Sequence, residues 1–300
     1  MPLRIPPSAL LLLALWSVVS VPGGAADDVV ALRAKGLTVT EKAGAIIAVA
    51  GPFQGLGEDG LTTIAGLSAL TSLNLNGSTG MITDAVITRI VAVGNLRELV
   101  FNGADFSDAA LRTMAGLPHL HTLTLFHPCR GRNDFTGAGI AALAALPEFE
   151  NLTVAGGTVG DAALKAIATL PHLHALRLWH NQETAEGVRC LASLTELRSL
   201  TLGQRLPGRD ALPPSLCDAS LSAIAGIATL EELSLQQAHL TYEALAGLKQ
   251  LPKLKKLTAI QIELPAEDVE RLRAALPGVT IAWTAMSEPD AAAQRAKMKL

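Results

Sequence analysis

The sequence predicts an α/β solenoid, with a parallel sheet lining the concave face of an arc and helices on its convex face. Three observations carry this. The pattern Leu-x-x-Leu-x-Leu recurs in eight copies at a spacing near 24 residues. Within each copy the apolar period changes from that of a strand to that of a helix. Helix-opening acids and helix-closing prolines recur at matching places. A fixed period of this length marks a solenoid whose repeats contact only their neighbours.

Residues 1–26 read as a secretory signal peptide. Arg4 precedes an apolar run from Ala9 to Val21, followed by Pro22-Gly23-Gly24-Ala25-Ala26. That is the charged, apolar and small-residue order of an export signal. Cleavage after Ala26 leaves Asp27 first. The apolar run is shorter than the roughly 20 residues a comfortable membrane span needs. No stable span is therefore expected after cleavage, and a retained anchor is the alternative. Residues 27–43 form a cap segment ahead of the repeats.

The solenoid is expected over residues 44–284. The first apolar positions are Gly44, Leu70, Leu96, Leu120, Phe149, Leu173, Leu197, Leu230 and Leu254. The second and third columns include Leu73 and Leu75, Leu123 and Leu125, Leu176 and Leu178, and Leu257 and Ala259. Gly44, Ile47 and Val49 read as a degenerate copy at the front, and Val279, Ile281 and Trp283 as a truncated strand at the end. The Leu-x-Leu alternation is that of a half-buried strand. Apolar residues three apart, as in Leu164, Ile167 and Leu170, give a helical face. Asp84, Ser107-Asp108, Asp161 and Asp218 open helices, where they accept hydrogen bonds from free N–H groups and suit the positive helix end. Pro118, Pro147, Pro171 and Pro252 stop the helices. Nine or ten strands about 4.8 Å apart make a sheet roughly 45 Å long. Residues 285–300, Ala-rich, read as a flexible tail, frayed or weakly helical.

These units resemble the leucine-rich-repeat family, specifically its ribonuclease-inhibitor-like branch of strand–helix repeats, over about residues 40–285. The resemblance implies a right-handed horseshoe and a binding role. Thr158-Val159-Gly160-Asp161-Ala162-Ala163-Leu164, ahead of Leu170-Pro171-His172-Leu173, resembles repeats of secreted bacterial members and also those of F-box ubiquitin-ligase receptors. The family often places Asn three residues after the third Leu, where its amide bonds buried backbone. Here only Asn181 matches; Ser78, Ala104, Pro128, Gly157, Arg205, Ala238 and Ile262 stand at the other copies.

Composition fits a folded chain: 49% hydrophobic and 17% charged residues argue against disorder. A net charge of −3 gives no case for nucleic acid or anionic membranes. Aromatics are 3% of the chain, so the core is expected to be Leu, Ile, Val and Ala. Of Cys129, Cys190 and Cys217, the first and last lie in long loops and are candidates for a bridge, with inert thiols as the alternative.

Two repeat steps are long, 29 and 33 residues, and both additions fall between strand and helix. They span Phe126–Phe135 and Gly203–Ser215, and Trp179-His180-Asn181 lies between them on the same edge. Insertions confined to one edge of a solenoid often mark its binding face. The candidate binding residues are Phe126, His127, Arg130, Arg132, Trp179, His180, Arg205 and Arg209. An exposed Trp flanked by Arg is the composition of an interface hot spot. The alternative is loop drift, with the aromatics packed beneath. The middle inner column, Asn74, Val100, Thr124, Thr153, Arg177, Thr201, Ser234 and Thr258, is bland.

His121, Glu150 and His174 occupy equivalent positions on successive strands, as do His119, Glu148 and His172. The arrangement reads as an exposed row of alternating charge, with a shared metal as the alternative; no metal or cofactor is expected. There is no HExxH, GxSxG, phosphate loop or dinucleotide fingerprint, so no enzymatic activity is expected. The expected function is an exported, monomeric binding module for a protein or glycan, secreted or in the periplasm or cell envelope. The alternatives are an F-box-like substrate receptor, for which residues 27–43 are too short a segment, and a structural envelope spacer.

Overall fold

The computed structural model describes residues 24–78, 80–129, 133–157, 159–205 and 213–298. The expected signal segment therefore lies almost wholly outside the described residues. Among them no helix is long and apolar enough to cross a membrane.

Among the described residues eleven strands form one sheet in chain order. β1 (Thr38–Lys42) runs antiparallel to β2 (Ala45–Pro52). β3 (Ser72–Asn76), β4 (Glu98–Asn102), β5 (Thr122–Phe126), β6 (Asn151–Ala155), β7 (Ala175–Trp179) and β8 (Ser199–Gly203) follow in parallel. β9 (Glu232–His239), β10 (Lys256–Glu263) and β11 (Thr280–Ala285) complete the sheet, also in parallel.

The helices are α1 (Ala25–Ala34), α2 (Gly57–Gly66), α3 (Asp84–Ile90), α4 (Asp108–Met114), α5 (Asp161–Ile167), α6 (Ala185–Cys190), α7 (Asp218–Ile224), α8 (Tyr242–Ala246), α9 (Ala266–Ala275) and α10 (Glu288–Met298). A 3-10 helix, Ala138–Ala145, takes the helical place between β5 and β6. From α2 to α9 each helical segment packs on the next. This is the strand–helix architecture of a leucine-rich-repeat solenoid.

The expected columns are the observed register. Leu73, Leu99, Leu123, Leu152, Leu176, Leu200, Leu233 and Leu257 pair in one line across the sheet. Leu75, Phe101, Leu125, Val154, Leu178, Leu202, Leu235 and Ala259 form a second. All are buried in one continuous core under the helices. A buried Leu contributes roughly 1.5–3 kcal/mol over leaving it exposed, and here each contributes to the faces of two neighbouring repeats.

Two expectations are corrected. The degenerate front copy is displaced by two residues: Val49 pairs with Leu73, and Gly51 with Leu75. The cap explains the shift. Leu37, between α1 and β1, fills the space a third-column side chain would need, and a Cβ on Gly51 would lie 3.1 Å from the Leu37 side chain and the Gly36 carbonyl. Residues 285–300, expected as a flexible tail, hold α10. It docks by burying Ala291, by a hydrogen bond from the Gln294 amide to the Gln237 carbonyl (2.7 Å), and by an ion pair between Arg295 and Glu263.

The helix-opening acids act between repeats. Asp84 accepts from the backbone and hydroxyl of Ser107 at 2.7 and 2.6 Å. Asp161 does the same for Thr184, both at 2.8 Å, and Asp218 for Thr241, at 3.0 and 2.8 Å. Asp108 holds Thr136 and the Gly137 N–H. Ser107, Thr184 and Thr241 in turn cap their own helices. Each clip satisfies donors at a helix start and fixes the spacing of adjacent helices.

Candidate functional site

Strand alternation points the Leu columns at the helices and leaves the other residues on the open face of the sheet. The last open row reads Asn76, Asn102, Phe126, Ala155 and Trp179 from β3 to β7. Phe126 and Trp179 lie two strands apart, roughly 9.6 Å at ordinary spacing. Their rings nevertheless meet, with centroids 5.9 Å apart at 54°. Ala155 makes this possible: it is small and buried between them. The two rings are half-buried, so Trp179 is less open than its sequence position suggests. On its other side stands Gly203, where a Cβ would lie 2.5 Å from the Trp179 Cβ. Only glycine leaves that flank clear.

His127 and His180 follow the two aromatics, and both have left-handed backbone (φ 49° and 59°). Gly103 and Gly156 hold the same place on neighbouring strands, and Gln237 and Gln261 hold it further on. A non-glycine residue there is strained by on the order of 1 kcal/mol or more. His127 Nδ1 contacts Asn102 Oδ1 at 3.1 Å. His180 Nε2 contacts Gln237 Oε1 at 3.1 Å, and the Gln237 amide donates to Gln261 at the same distance. Beside Phe126 opens a cleft of about 400 Å³ lined by Gly77, Ser78, Asn102, Gly103, Ala104, Asp105 and His127.

Two buried amides root this edge. Asn181 accepts from the Gly157 N–H (3.1 Å) and donates to the Val154 carbonyl (2.8 Å), the role the family resemblance implies. Gln204 does more. Its oxygen accepts from the backbones of Arg205 (3.1 Å), Ser215 (2.8 Å) and Leu216 (3.4 Å), and its nitrogen donates to the Leu216 carbonyl (2.9 Å). It ties the two ends of the second long loop together.

Of the candidate residues, Phe126, His127, Trp179 and His180 share the edge. Arg130, Arg132 and Arg209 lie outside the described residues. Arg205 is a correction: expected as an exposed rim charge, it is 8% exposed, and its Nη1 donates to the Pro213 carbonyl at 3.3 Å. The loop returning through Ser215 covers it. Cys129 and Cys217 are not bridged. The Cys129 thiol is buried and donates to the Phe106 carbonyl, whereas Cys217 caps α7. Trp283, on β11, is partly buried against the core, with its indole nitrogen buried.

The His–Glu residues form a row at the opposite edge. Glu150 contacts His121 and His174, each at 3.1 Å, and His174 also contacts Glu196 at 3.3 Å. Burial acts to raise the Glu150 pKa, but hydrogen bonds and charge from His174 and His121 outweigh it and leave it lowered. The hydrogen bond from His119 is the main cause of the lowered Glu148 pKa. Among the described residues no group of three or more His, Cys, Asp or Glu is placed to hold a metal ion.

The sequence reading missed Glu183. It is 1% exposed, and neither carboxylate oxygen has a hydrogen-bond partner among the described residues. Burial raises its pKa to about 7, with its own backbone amide and Arg205 opposing the rise and Asp161 adding to it. A Glu just before a helix cap reads as solvated, yet here it is buried.

No family model and no curated protein matches the chain. Among solved structures it is similar to two proteins of Listeria monocytogenes. With an internalin, inlF, it shares 19% identity at a TM-score of 0.47, over 75% of this chain and 64% of that one. The chain thus spans under two thirds of the length of that neighbour. With internalin C2, inlC2, it shares 19% identity at a TM-score of 0.45, over 87% and 92%. Both likenesses are distant, and the assignment to a leucine-rich-repeat solenoid stands on this chain's own repeats and register.

Proposed function

We propose that the chain is an exported binding module that engages a protein partner at the edge centred on Phe126 and Trp179. One observation carries this reading: two large aromatics, on strands that are not neighbours, are brought together on the open face and left half-exposed. Aromatic side chains with a polar surround are typical binding anchors. The strained His127 and His180 flank them, and the rooted loop beyond Gly203 holds the backbone behind Trp179. The apolar run at residues 9–21 supports export.

The test is capture from envelope and secreted fractions of the native host, with wild type, a Phe126→Ala/Trp179→Ala double variant and Arg177→Ala. A partner retained by wild type and Arg177→Ala but lost by the double variant supports the reading. Trp179→Ala alone should weaken that partner by about 2 kcal/mol or more, as for a central aromatic anchor. A partner indifferent to both aromatics would move the site to another surface. Terminal sequencing of the host protein tests export: Asp27 or a near neighbour should come first, and intact Met1 in a cytosolic fraction would contradict it.

A further inference from the structure

We propose that Glu183 is a proton switch at the root of the second long loop, setting whether Arg205 holds the Pro213 carbonyl or the Glu183 carboxylate. The site is built from both sides. On one side Glu183 sits between two pinned residues: the Gln182 N–H donates to the Val159 carbonyl (2.7 Å), and Thr184 caps α6 and is held by Asp161. The backbone is therefore held on both sides of Glu183. On the other side Arg205 is held near it by the Gln204–Ser215 contacts of its own backbone.

Among the described residues, the charged groups that act on Glu183 are Arg205 and Asp161. Asp161 is occupied by Thr184, so Arg205 is the cation that acts on it. A buried carboxylate without a donor is costly, whereas the neutral acid costs far less. Burial is accordingly the main cause of the raised Glu183 pKa, and burial also lowers that of Arg205, with the Glu183 charge opposing. A guanidinium stays charged at every accessible pH.

Two states follow. With Glu183 protonated, Arg205 donates to Pro213, at 3.3 Å and to a neutral carbonyl. When Glu183 loses its proton to solvent, a carboxylate faces that guanidinium. Charge-assisted hydrogen bonds are about twice as strong as neutral ones, so the guanidinium transfers from Pro213 to Glu183. The only covalent bond broken is the Glu183 O–H, whose proton passes to solvent. The switch reaches the aromatic edge through backbone, because the His180 N–H donates to the Gln204 carbonyl at 3.2 Å. It does not depend on that edge being a binding site.

The test is a nuclear magnetic resonance titration of the wild-type chain from pH 5 to 9, following the Glu side-chain carboxyl carbons and the Arg205 guanidinium nitrogens. Glu183 is assigned by the signal missing in Glu183→Gln, or by through-bond correlation should that variant fail to fold. The expected result is one Glu titrating near 7, with the Arg205 signals moving at the same midpoint. In Arg205→Gln the Glu183 midpoint should rise by about one pH unit or more, since the opposite charge is gone. A Glu183 that titrates below pH 5, or Arg205 signals that stay still while Glu183 titrates, would overturn the switch. A partner that ignores Phe126 and Trp179 would overturn the binding-edge reading and leave this result untouched.

Discussion

The ends of β7 and β8 are neighbours, and they treat their polar and aromatic residues in opposite ways. At β7 the edge residue is Trp179, half-exposed against Phe126, and the amide that serves the backbone is Asn181, two residues later. At β8 the edge residue is Gly203, and the serving amide comes at once, as Gln204. The charged residue that follows, Arg205, is turned inward. The β7 end opens an ordinary 24-residue step and the β8 end a 33-residue one. The longer connection is accommodated by moving the buried amide earlier and using it to bind the returning segment at Ser215 and Leu216. The described ends of the loop are thus rooted in the core.

The largest expected effect concerns what the two ends share. Leu176 and Leu200 pair in the same buried column. Leu176→Ala should cost about 2–5 kcal/mol, because the cavity lies between repeats that cannot easily close over it. Arg177→Ala, on the exposed side of the same strand, should cost well under about 1 kcal/mol. Urea midpoints ranking these two the other way would break the register on which the comparison rests.

Next comes the pH dependence of the β8 root. Glu183 is raised from an ordinary 4.5 to about 7. Between those values the folded chain binds more protons than the unfolded chain, so this group's contribution to stability falls as pH rises and is fully lost above 7. Glu183→Gln lacks the titration. Its stability relative to wild type should therefore rise by about 2–3 kcal/mol between pH 5 and 8.5. Parallel stability curves for the two proteins would show that the carboxyl is not buried as described.

The smaller contrast is between the two amides. Removing a buried partner leaves its backbone groups unsatisfied, at about 1–3 kcal/mol each before relaxation. Gln204→Ala should cost more than Asn181→Ala, because it strands donors at Ser215 and Leu216 and the Leu216 carbonyl, where Asn181 serves one donor and one acceptor. Equal losses in chemical denaturation would mean that the second loop holds itself.

The same contrast explains how much was legible. The Leu columns could be read because burial repeats locally, once per copy. The place of Trp179 beside two long loops was also legible. Its contact with Phe126 was not, since it depends on register across a 29-residue step and on the small Ala155 between them. The acids at the helix starts were recognised, but their partners lie in the next repeat, where no local rule looks. Arg205 and Glu183 were misjudged or missed for one reason: both carry the composition of a solvated surface, and their burial depends on tertiary contacts, which for Arg205 come from Pro213 and Ser215.

Site-specific photo-cross-linking tests the central claim most directly. A photoreactive residue is placed at Trp179, and in a separate protein at Arg112, exposed on α4 of the helical face. Both are irradiated with the fractions used for capture. The expected result is a discrete protein adduct from position 179, none from 112, and loss of the 179 adduct when Phe126 is also replaced by Ala. Adducts forming from 112 and not from 179 would contradict the account and place the binding surface on the helices.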